Sequence, residues 1–519
     1  MTELASESSM LNILLPFPVL LPMFGAALTV VGSRSATLQR VVGIVVLAAV
    51  AALACVLLVA ADRHGPIVAE LGGWPAPVGI ALVADRLSAL LLLVSTLVTL
   101  AVLVYAIDQR IADYGRATAS TTFHPMYLML CAGVSLAYLT GDLFTLFVAF
   151  ELMLTASYVL ITRRTGANRI RAGMTYVTVS LLSSLLFLTA VAMVYAATGT
   201  VNLADLAGRV GELPPGLQTV LGMMLLVVFG IKAAIVPLHF WLPDSYPNAP
   251  GPVAALFAGL LTKVSFYALL RTQTLLFPRE EPWTLVLVLA VATMLVGVLG
   301  ALAQNDLNRL LSFLLVSHIG FLLYGLAVFD AAGVSGAALY AAHHITVLAT
   351  LFLVSGLITR RTGTVALDRM GGLLRSSPGL AILFAVPALT LAGVPPTAGF
   401  VAKLALLRAG AGSGVPEQAV AGVVIVASLL TLYALVRVWV RVFWGEPVAP
   451  VPDVDPTDEV LVGTARTSVP MYAATAGLIA VSLAIAAFAG PLAGVTGRAG
   501  VDLLDREPYR VAVLGEGPP

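Results

Sequence analysis

Apolar residues run along this chain in long blocks that short polar or Pro/Gly-rich segments separate. A helix of about 20 apolar residues spans the hydrocarbon core of a bilayer, and hydropathy predicts roughly fourteen such segments here. Their approximate limits are 11–32, 41–61, 83–107, 126–140, 143–162, 173–198, 217–236, 252–273, 284–303, 309–328, 335–358, 379–407, 419–443 and 470–490. The pattern therefore predicts an all-α polytopic membrane protein.

Composition agrees with this interpretation and excludes several classes of function. Hydrophobic residues make up 59% of the chain and charged residues 11%, and the net charge is +1. Nucleic-acid binding needs clustered Lys and Arg on an exposed face, and the sequence has no such cluster. Cys55 and Cys131 lie inside apolar segments without the spacing of a metal, haem or iron–sulfur site. We expect no cofactor and no bound metal.

The distribution of arginine between successive loops predicts how the chain is threaded. The odd-numbered loops hold most of the loop arginines, whereas the even-numbered loops hold only Arg63, Arg209, Arg271, Arg279 and Arg408. Short loops rich in basic residues stay on the cytoplasmic side. The odd loops are therefore predicted to lie in the cytoplasm of a bacterial cell and both termini outside its inner membrane.

All three lysines of the chain, Lys232, Lys263 and Lys403, lie in apolar segments. A charged side chain at the bilayer centre costs about 2.5–3.5 kcal/mol, so such residues are usually retained because they line a pathway. Lysine can lose its proton when it is desolvated, whereas arginine stays charged. Lys263 lies near the middle of its segment and is the stronger candidate. Lys232 lies near the end of an apolar run, where snorkelling to the interface is the ordinary alternative.

Prolines interrupt two of these segments at membrane depth. Pro237 follows Lys232 by five residues, and Pro395 and Pro396 precede Lys403. Proline removes a helical hydrogen bond and clashes with the preceding turn, and broken helices inside membranes mark ion or substrate sites. Helices 7 and 12 are therefore predicted to be broken, five segments apart. Helices 4–8 and 9–13 are predicted to form inverted repeats, although the lysine precedes the proline in one and follows it in the other.

The order of segments predicts one membrane domain over residues 1–519. Its parts are N-terminal helices 1–3 at 11–107, a first repeat at 126–273, a second repeat at 284–443, an acidic, Pro-rich cytoplasmic loop at 444–469, a last helix at 470–490 and an extracytoplasmic tail at 491–519.

Glu151 is the one carboxylate in the middle of an apolar segment, where it needs a cation. We expect it to pair with Lys232, either as a switch acting on the next lysine or as a static ion pair between two helices. His318, His344 and the adjacent His343 could pass protons through water, although buried histidines bonded to a hydroxyl or carbonyl are as common. Ser180, Ser183, Ser184, Thr262 and Ser265 are left outside the predicted site, because small polar residues also pack helices closely.

Together these motifs resemble the antiporter-like subunits shared by respiratory complex I and the multisubunit Mrp-type sodium/proton antiporters, over roughly residues 85 to 445. The resemblance rests on FELMLTASYVLIT, GIKAAIVPLHFWLPDSYPNAP, LLTKVSFYALLR, NDLNRLLSFLLVSHIGF and AGVPPTAGFVAKL. It implies a proton path through Glu151, Lys232, Lys263, His318, His344 and Lys403. Many relatives carry a lysine where this chain has Leu348, so His318 and His344 would have to bridge that gap with water.

Two functions follow from the resemblance. The first is a membrane subunit of an antiporter complex that exchanges protons for a monovalent cation, with sodium as the expected cation and other membrane subunits as partners. The second is a proton-pumping membrane subunit of a complex I-like oxidoreductase. The chain has no nucleotide-binding loop or iron–sulfur motif, so electron transfer is not expected of it in either case. One sequence does not decide between them.

Overall fold

The computed structural model describes residues 10–109, 122–162, 167–279, 281–446 and 468–515. Within these residues, twelve helices are long and apolar enough to cross a membrane, which confirms the predicted all-α polytopic membrane fold. In chain order the longer helices are α1 Phe17–Val31, α2 Ala36–His64, α3 Arg86–Asp108, α4 Phe123–Leu139, α5 Leu143–Thr162, α6 Ala167–Thr198, α7 Pro215–Ala233, α8 Gly251–Leu275, α9 Thr284–Leu302, α10 Leu307–Val328, α11 Ala331–Thr362, α12 Pro378–Ala392, α13 Ala398–Ala411, α14 Val415–Trp439, α15 Val469–Ala487, α16 Ala489–Leu504 and α17 Glu507–Leu514. Short helices occur at Leu203–Arg209, Trp241–Ser245 and Leu373–Ser376.

A β-hairpin that the hydropathy pattern did not predict connects α2 to α3. Strands β1, Ile67–Glu70, and β2, Ala81–Ala84, pair antiparallel. All four residues of β2 are buried, so by hydropathy they merged with the helical segment predicted from residue 83. Asp85 then begins α3 as its cap, because its carboxylate accepts the N–H of Ser88 at 2.8 Å. Such a cap satisfies one of the unpaired donors at a helix start.

Both predicted helix breaks are present. Helix α7 ends at Ala233, and Ala234 has a left-handed backbone with φ 61°. Helix α12 ends at Ala392, and Gly393 has φ +86° before α13 begins at Ala398. In each break the second residue after the helix donates back to the carbonyl five residues earlier. This is the hydrogen-bond pattern of a Schellman cap, so the two half helices end in the same way.

Two aspartates lie at the starts of α5 and α10, helices that are five apart in chain order. Asp142 accepts the N–H of Thr145 at 2.6 Å at the start of α5, and Asp306 accepts the N–H of Arg309 at 2.8 Å at the start of α10. A β-bridge joins Asp142 to Asn202, in the segment that follows α6. Another joins Asp306 to Ala366, in the segment that follows α11. Equivalent elements separated by an odd number of crossings lie on opposite faces of a membrane. The pairing supports the prediction of inverted repeats.

The segment predicted as a tail at 491–519 contains most of α16 and all of α17. Helix α16 packs against α11 at Gly500, where a Cβ atom would lie 2.4 Å from the carbonyl oxygen of Ala331. Arg498 forms an ion pair with Asp62 at 2.7 Å, and Arg86 bonds Asp502. These contacts hold the C-terminal helices against the bundle. Most of the predicted cytoplasmic loop at 444–469 lies outside the described residues.

Arg271 was counted among the loop arginines, and that assignment is wrong. It lies in α8, is 5% exposed and forms an ion pair with Asp85. Its guanidinium also lies 5.3 Å from the centre of the Tyr509 ring on α17. Its position lies inside the predicted segment 252–273, and counting it with the loop did not account for a partner from a distant part of the chain.

Candidate ion-translocation site

Lys232 lies in the last turn of α7, just before the helix break. Its side chain is buried, its Nζ donates to Ser184 Oγ at 3.2 Å, and the same atom lies 5.0 Å from the centre of the Phe150 ring. The C-terminal end of a helix carries partial negative charge, which favours a cation there. Trp241, beyond the break, donates to the carbonyl of Ile231 at 2.9 Å, which also accepts the N–H of Ala234 at 3.1 Å, so its indole holds the segment after the break against the end of α7.

A small cavity of about 20 Å³ lies beside Lys232, between α5, α6, α7 and α8. Its polar lining comes from Lys232, Ser180, Ser183 and Ser265. Ser184 is next to this lining and bonds Lys232 directly. Four of the five small polar residues left outside the predicted site therefore surround this lysine or its cavity. The sequence offers no signal that separates such serines from those that only pack helices.

Glu151 does not form the ion pair with Lys232 that the sequence predicts. Among the described residues no carboxylate lies within 4.0 Å of Lys232, although the two charges are near enough to interact electrostatically. One carboxylate oxygen of Glu151, Oε1, is buried without a hydrogen-bond partner in the described part of the chain. Glu151 lies on the outward stripe of α5 with Phe144, Val148 and Thr155, so it is only partly buried in this single chain.

Lys263 is fully buried at the centre of the bundle on α8. Its Nζ donates to the carbonyl of Ala258 on its own helix at 2.5 Å. One turn earlier, Gly259 packs against α11, where a Cβ atom would lie 3.4 Å from the carbonyl oxygen of Ile345. His344, which precedes Ile345 on α11, interacts electrostatically with Lys263. The structure therefore brings the eighth and eleventh helices together at the level of these two residues.

His318 and His344 stack on one another with ring centres 5.3 Å apart. His318 Nδ1 hydrogen-bonds the Tyr340 hydroxyl at 2.5 Å, and its Nε2 approaches Thr431 Oγ1 at 3.4 Å. Both ring nitrogens of His344, and both of His343, are buried without partners in the described part of the chain. Tyr340 is a neighbour that the sequence analysis missed. It lies one helical turn before His344, a spacing that also occurs often by chance.

Lys403 lies on α13 but bonds the end of α12. Its Nζ donates to the carbonyls of Leu391 at 2.9 Å and Ala392 at 2.8 Å, and lies 5.0 Å from the centre of the Phe321 ring. Phe321 in turn stacks on His318 at 4.9 Å. A Cβ atom on Gly393 would lie 2.7 Å from Lys403 Cδ, so this position suits glycine for both its backbone and its close contact.

The six predicted residues thus form two well-defined groups with Lys263 between them. One group contains Lys232 with the nearby Glu151, and the other contains His318, His344 and Lys403 around Phe321 and Tyr340. The described residues show no carboxylate within 4.0 Å of any of the three lysines. Pro237, Pro395 and Pro396 lie in the two helix breaks, as predicted.

Comparison with known proteins identifies the family to which this fold is similar. Residues 140–431 match the family described as NADH:quinone oxidoreductase/Mrp antiporter, transmembrane. The D subunit of the Na(+)/H(+) antiporter of Alkalihalophilus pseudofirmus is 40% identical over 84% of this chain and 88% of its own length. Its counterpart of the same name in Bacillus subtilis is 37% identical over 83% of this chain and 86% of its own length.

Solved structures show the same fold. A chain of the Mrp complex from Dietzia sp. DQ12-45-1b has a TM-score of 0.87 and 33% identity, and the match covers 98% of this chain and 100% of that one. A chain of the membrane-bound sulfane sulfur reductase, an archaeal respiratory membrane complex, has a TM-score of 0.84 and 22% identity over 97% of this chain and 100% of that one. The second likeness concerns the fold alone.

The fold and the site define a polytopic membrane protein with ionisable side chains buried between its helices. More particularly, the chain belongs to the NADH:quinone oxidoreductase/Mrp antiporter family, and its similarity to the two bacterial antiporter proteins confirms the resemblance inferred from the sequence.

Proposed function

We propose that this chain is a D-type membrane subunit of a Na⁺/H⁺ antiporter complex and that protons move through it by way of its buried lysines and histidines. The observation that carries the proposal is the burial of Lys232, Lys263 and Lys403 without a carboxylate within 4.0 Å in the described residues. A lysine held this way at membrane depth is costly as a permanent cation. Its retention is explained if the amine gains and loses a proton during transport.

The arrangement of the two groups supports a path across the middle of the bundle. Glu151 and Lys232 form its first end, Lys263 its centre, and His318, His344 and Lys403 its second end. The stacked histidines and the short Tyr340 hydrogen bond provide groups that can both donate and accept a proton. Leu348 replaces the lysine that many relatives carry, so the step between Lys263 and the second group falls to His344 and water.

Partner subunits are part of this proposal. Glu151 lies on the outward face of α5, and an ionisable side chain facing lipid would be costly. Another membrane subunit covering this face would remove that cost. The predicted orientation, with odd loops inside and both termini outside, belongs to the same proposal and rests on the arginine distribution.

The test uses everted membrane vesicles that contain the whole complex and compares sodium-dependent proton flux between the wild type and Lys263→Ala. Flux should fall to the background of vesicles without the complex. Comigration of the subunits on purification must be unchanged, so that loss of assembly is excluded. Wild-type flux in an assembled Lys263→Ala complex would overturn the proposal.

A further inference from the structure

A second cavity, of about 440 Å³, opens between the β-hairpin, the start of α5 and the end of α6. Val78 and Ile80 from the hairpin, Phe144 from α5 and Tyr195 from α6 line its exposed rim. Asp142 is the one carboxylate residue in its lining. The proposed orientation places this cavity on the extracytoplasmic side, because the hairpin is the second loop.

Asp142 is 5% exposed, and in the described part of the chain only one of its carboxylate oxygens has a hydrogen-bond partner. Oδ1 accepts the N–H of Thr145, whereas Oδ2 is buried without a hydrogen bond to any described residue. Across the β-bridge, Asn202 Nδ2 is a buried donor that is likewise without a partner there. An open acceptor and an open donor on the two residues of one β-bridge suit a protonated group or a proton-carrying water better than a hard cation such as Ca²⁺ or Mg²⁺, which prefers oxygen ligands.

The second repeat shows that the cap itself does not require this arrangement. Asp306 caps α10 in the same way, but it is partly exposed, it has Arg309 at the position of Thr145, and its bridge partner is Ala366 instead of an asparagine. The buried, unpaired oxygen and its amide neighbour therefore occur only in the first of these two caps.

The charged groups around Asp142 are already paired with one another. The titratable neighbours on the packed elements are Asp85 and Arg271, which form an ion pair, Asp205 and Arg209, which form another at 2.9 Å, and the phenols of Tyr195 and Tyr509. None of them forms an ion pair with Asp142. Burial raises the pKa of the Asp142 carboxyl above its usual range. Burial also raises the pKa of Asp306, so the difference between the two caps rests on geometry.

Four phenylalanines separate this cavity from the one beside Lys232. Phe147 and Phe150 from α5, Phe187 from α6 and Phe229 from α7 contact one another with ring centres 5.1–6.0 Å apart. Phe187 lies between Val191, which lines the outer cavity, and Ser183, which lines the inner one. An apolar constriction of this kind blocks continuous water. We refer to these four residues as the phenylalanine cluster.

We propose that Asp142 is the proton acceptor at the extracytoplasmic entrance of the first repeat, at the bottom of the outer cavity and on the outer side of the phenylalanine cluster. Glu151 is the next carboxylate inward on the same helix, roughly 13 Å along its axis. Proton transfer between the two requires water and a transient opening of the cluster. This inference rests on the proposed function, because it assumes that protons enter the chain for exchange.

The experiment uses the whole complex in right-side-out vesicles, with external pH varied at fixed internal pH and fixed sodium. Asp142→Asn keeps an oxygen that can cap α5, because asparagine is as good a cap as aspartate. The variant should need about tenfold more external protons for half-maximal exchange, a shift of about one pH unit. Half-saturating sodium should stay unchanged. Asp306→Asn, the matched cap on the other face, should leave the external pH dependence unchanged.

Two outcomes would overturn the inference: an external pH profile that matches the wild type, or a change in half-saturating sodium at an unchanged pH profile, which would indicate a metal site. A further measurement tests the inference if the Asp142→Asn complex assembles poorly. This measurement attaches a charged thiol reagent to Val78→Cys in a Cys55→Ala complex. A cationic adduct should lower the external pH at which exchange is half-maximal, and an anionic adduct of similar size should raise it. Identical profiles would overturn the inference. Loss of exchange in Lys263→Ala alongside a silent Asp142→Asn would reject only the entrance.

Discussion

Lys403 donates a hydrogen bond from Nζ to the main-chain carbonyl of Leu391 at 2.9 Å, across the break between α12 and α13. Lys232 lies at the corresponding end of α7, on the half helix itself. The sequence places one lysine before its prolines and the other after them. In space both lysines lie at the C-terminal end of a half helix, where the helix dipole favours a cation.

Lys403 is therefore predicted to stabilise the helix break as well as to carry protons. Lys403→Ala leaves the carbonyls of Leu391 and Ala392 without this donor, at a cost of about 1–3 kcal/mol for each buried group left unpaired. The purified complex should unfold at a lower temperature than the wild type. Lys263→Ala is the control, because among the described residues Lys263 bonds only a carbonyl of its own helix, and it should lower the melting temperature less. Equal melting temperatures for the two variants would contradict this prediction.

Removing one ring of the phenylalanine cluster should make the chain leak protons. Phe187 is fully buried and contacts Phe147, Phe150 and Phe229, so Phe187→Ala opens space between the two cavities. A pH gradient imposed without sodium should collapse faster in vesicles with this variant than with the wild type. Leu185→Ala, on the same helix but 65% exposed, should hold the gradient. A tight Phe187→Ala complex would show that the cluster is not the barrier.

The ion pair between Asp85 and Arg271 is predicted to be important for stability. Asp85→Ala leaves a buried guanidinium uncompensated, which typically costs about 3–5 kcal/mol, and removes the cap of α3 as well. We expect low yield or a clearly lower melting temperature of the complex. Asp205→Ala breaks the more exposed pair with Arg209, which should contribute no more than about 1 kcal/mol. Similar losses in both variants would contradict the assignment.

Thiol labelling of the hairpin tests the proposed orientation. Val78 is 82% exposed, so Val78→Cys in a Cys55→Ala background should react with a membrane-impermeant reagent. Intact cells should be labelled, and everted vesicles should be labelled only after permeabilisation. The reverse pattern would place the hairpin in the cytoplasm and both termini with it.

Much of the fold could be predicted because membrane-spanning helices need long apolar segments and because proline interrupts a helix. The hairpin was missed because β2 is a buried strand of four apolar residues, which hydropathy cannot distinguish from the start of α3. Arg271 was misplaced because its partner Asp85 is distant in sequence. Both misses share one physical cause, since long-range pairing does not appear in a local pattern.

The candidate site could likewise be predicted only in part from the sequence. Ionisable residues in apolar segments identified the lysines, Glu151 and the histidines without any structure. The contacts of Lys232 with Ser184, and of His318 with Tyr340, depend on how helices pack and could not be predicted. The expected pair between Glu151 and Lys232 was inferred from charge alone, and helix packing keeps the two apart.

The central claim is that the buried lysines act by reversible protonation and not merely by their charge. Sodium-dependent proton flux through a complex carrying Lys263→Arg tests it most directly, because arginine keeps the positive charge and the hydrogen-bond donors but does not release its proton. The account predicts an assembled complex without exchange above background. Exchange at the wild-type rate in Lys263→Arg would contradict it.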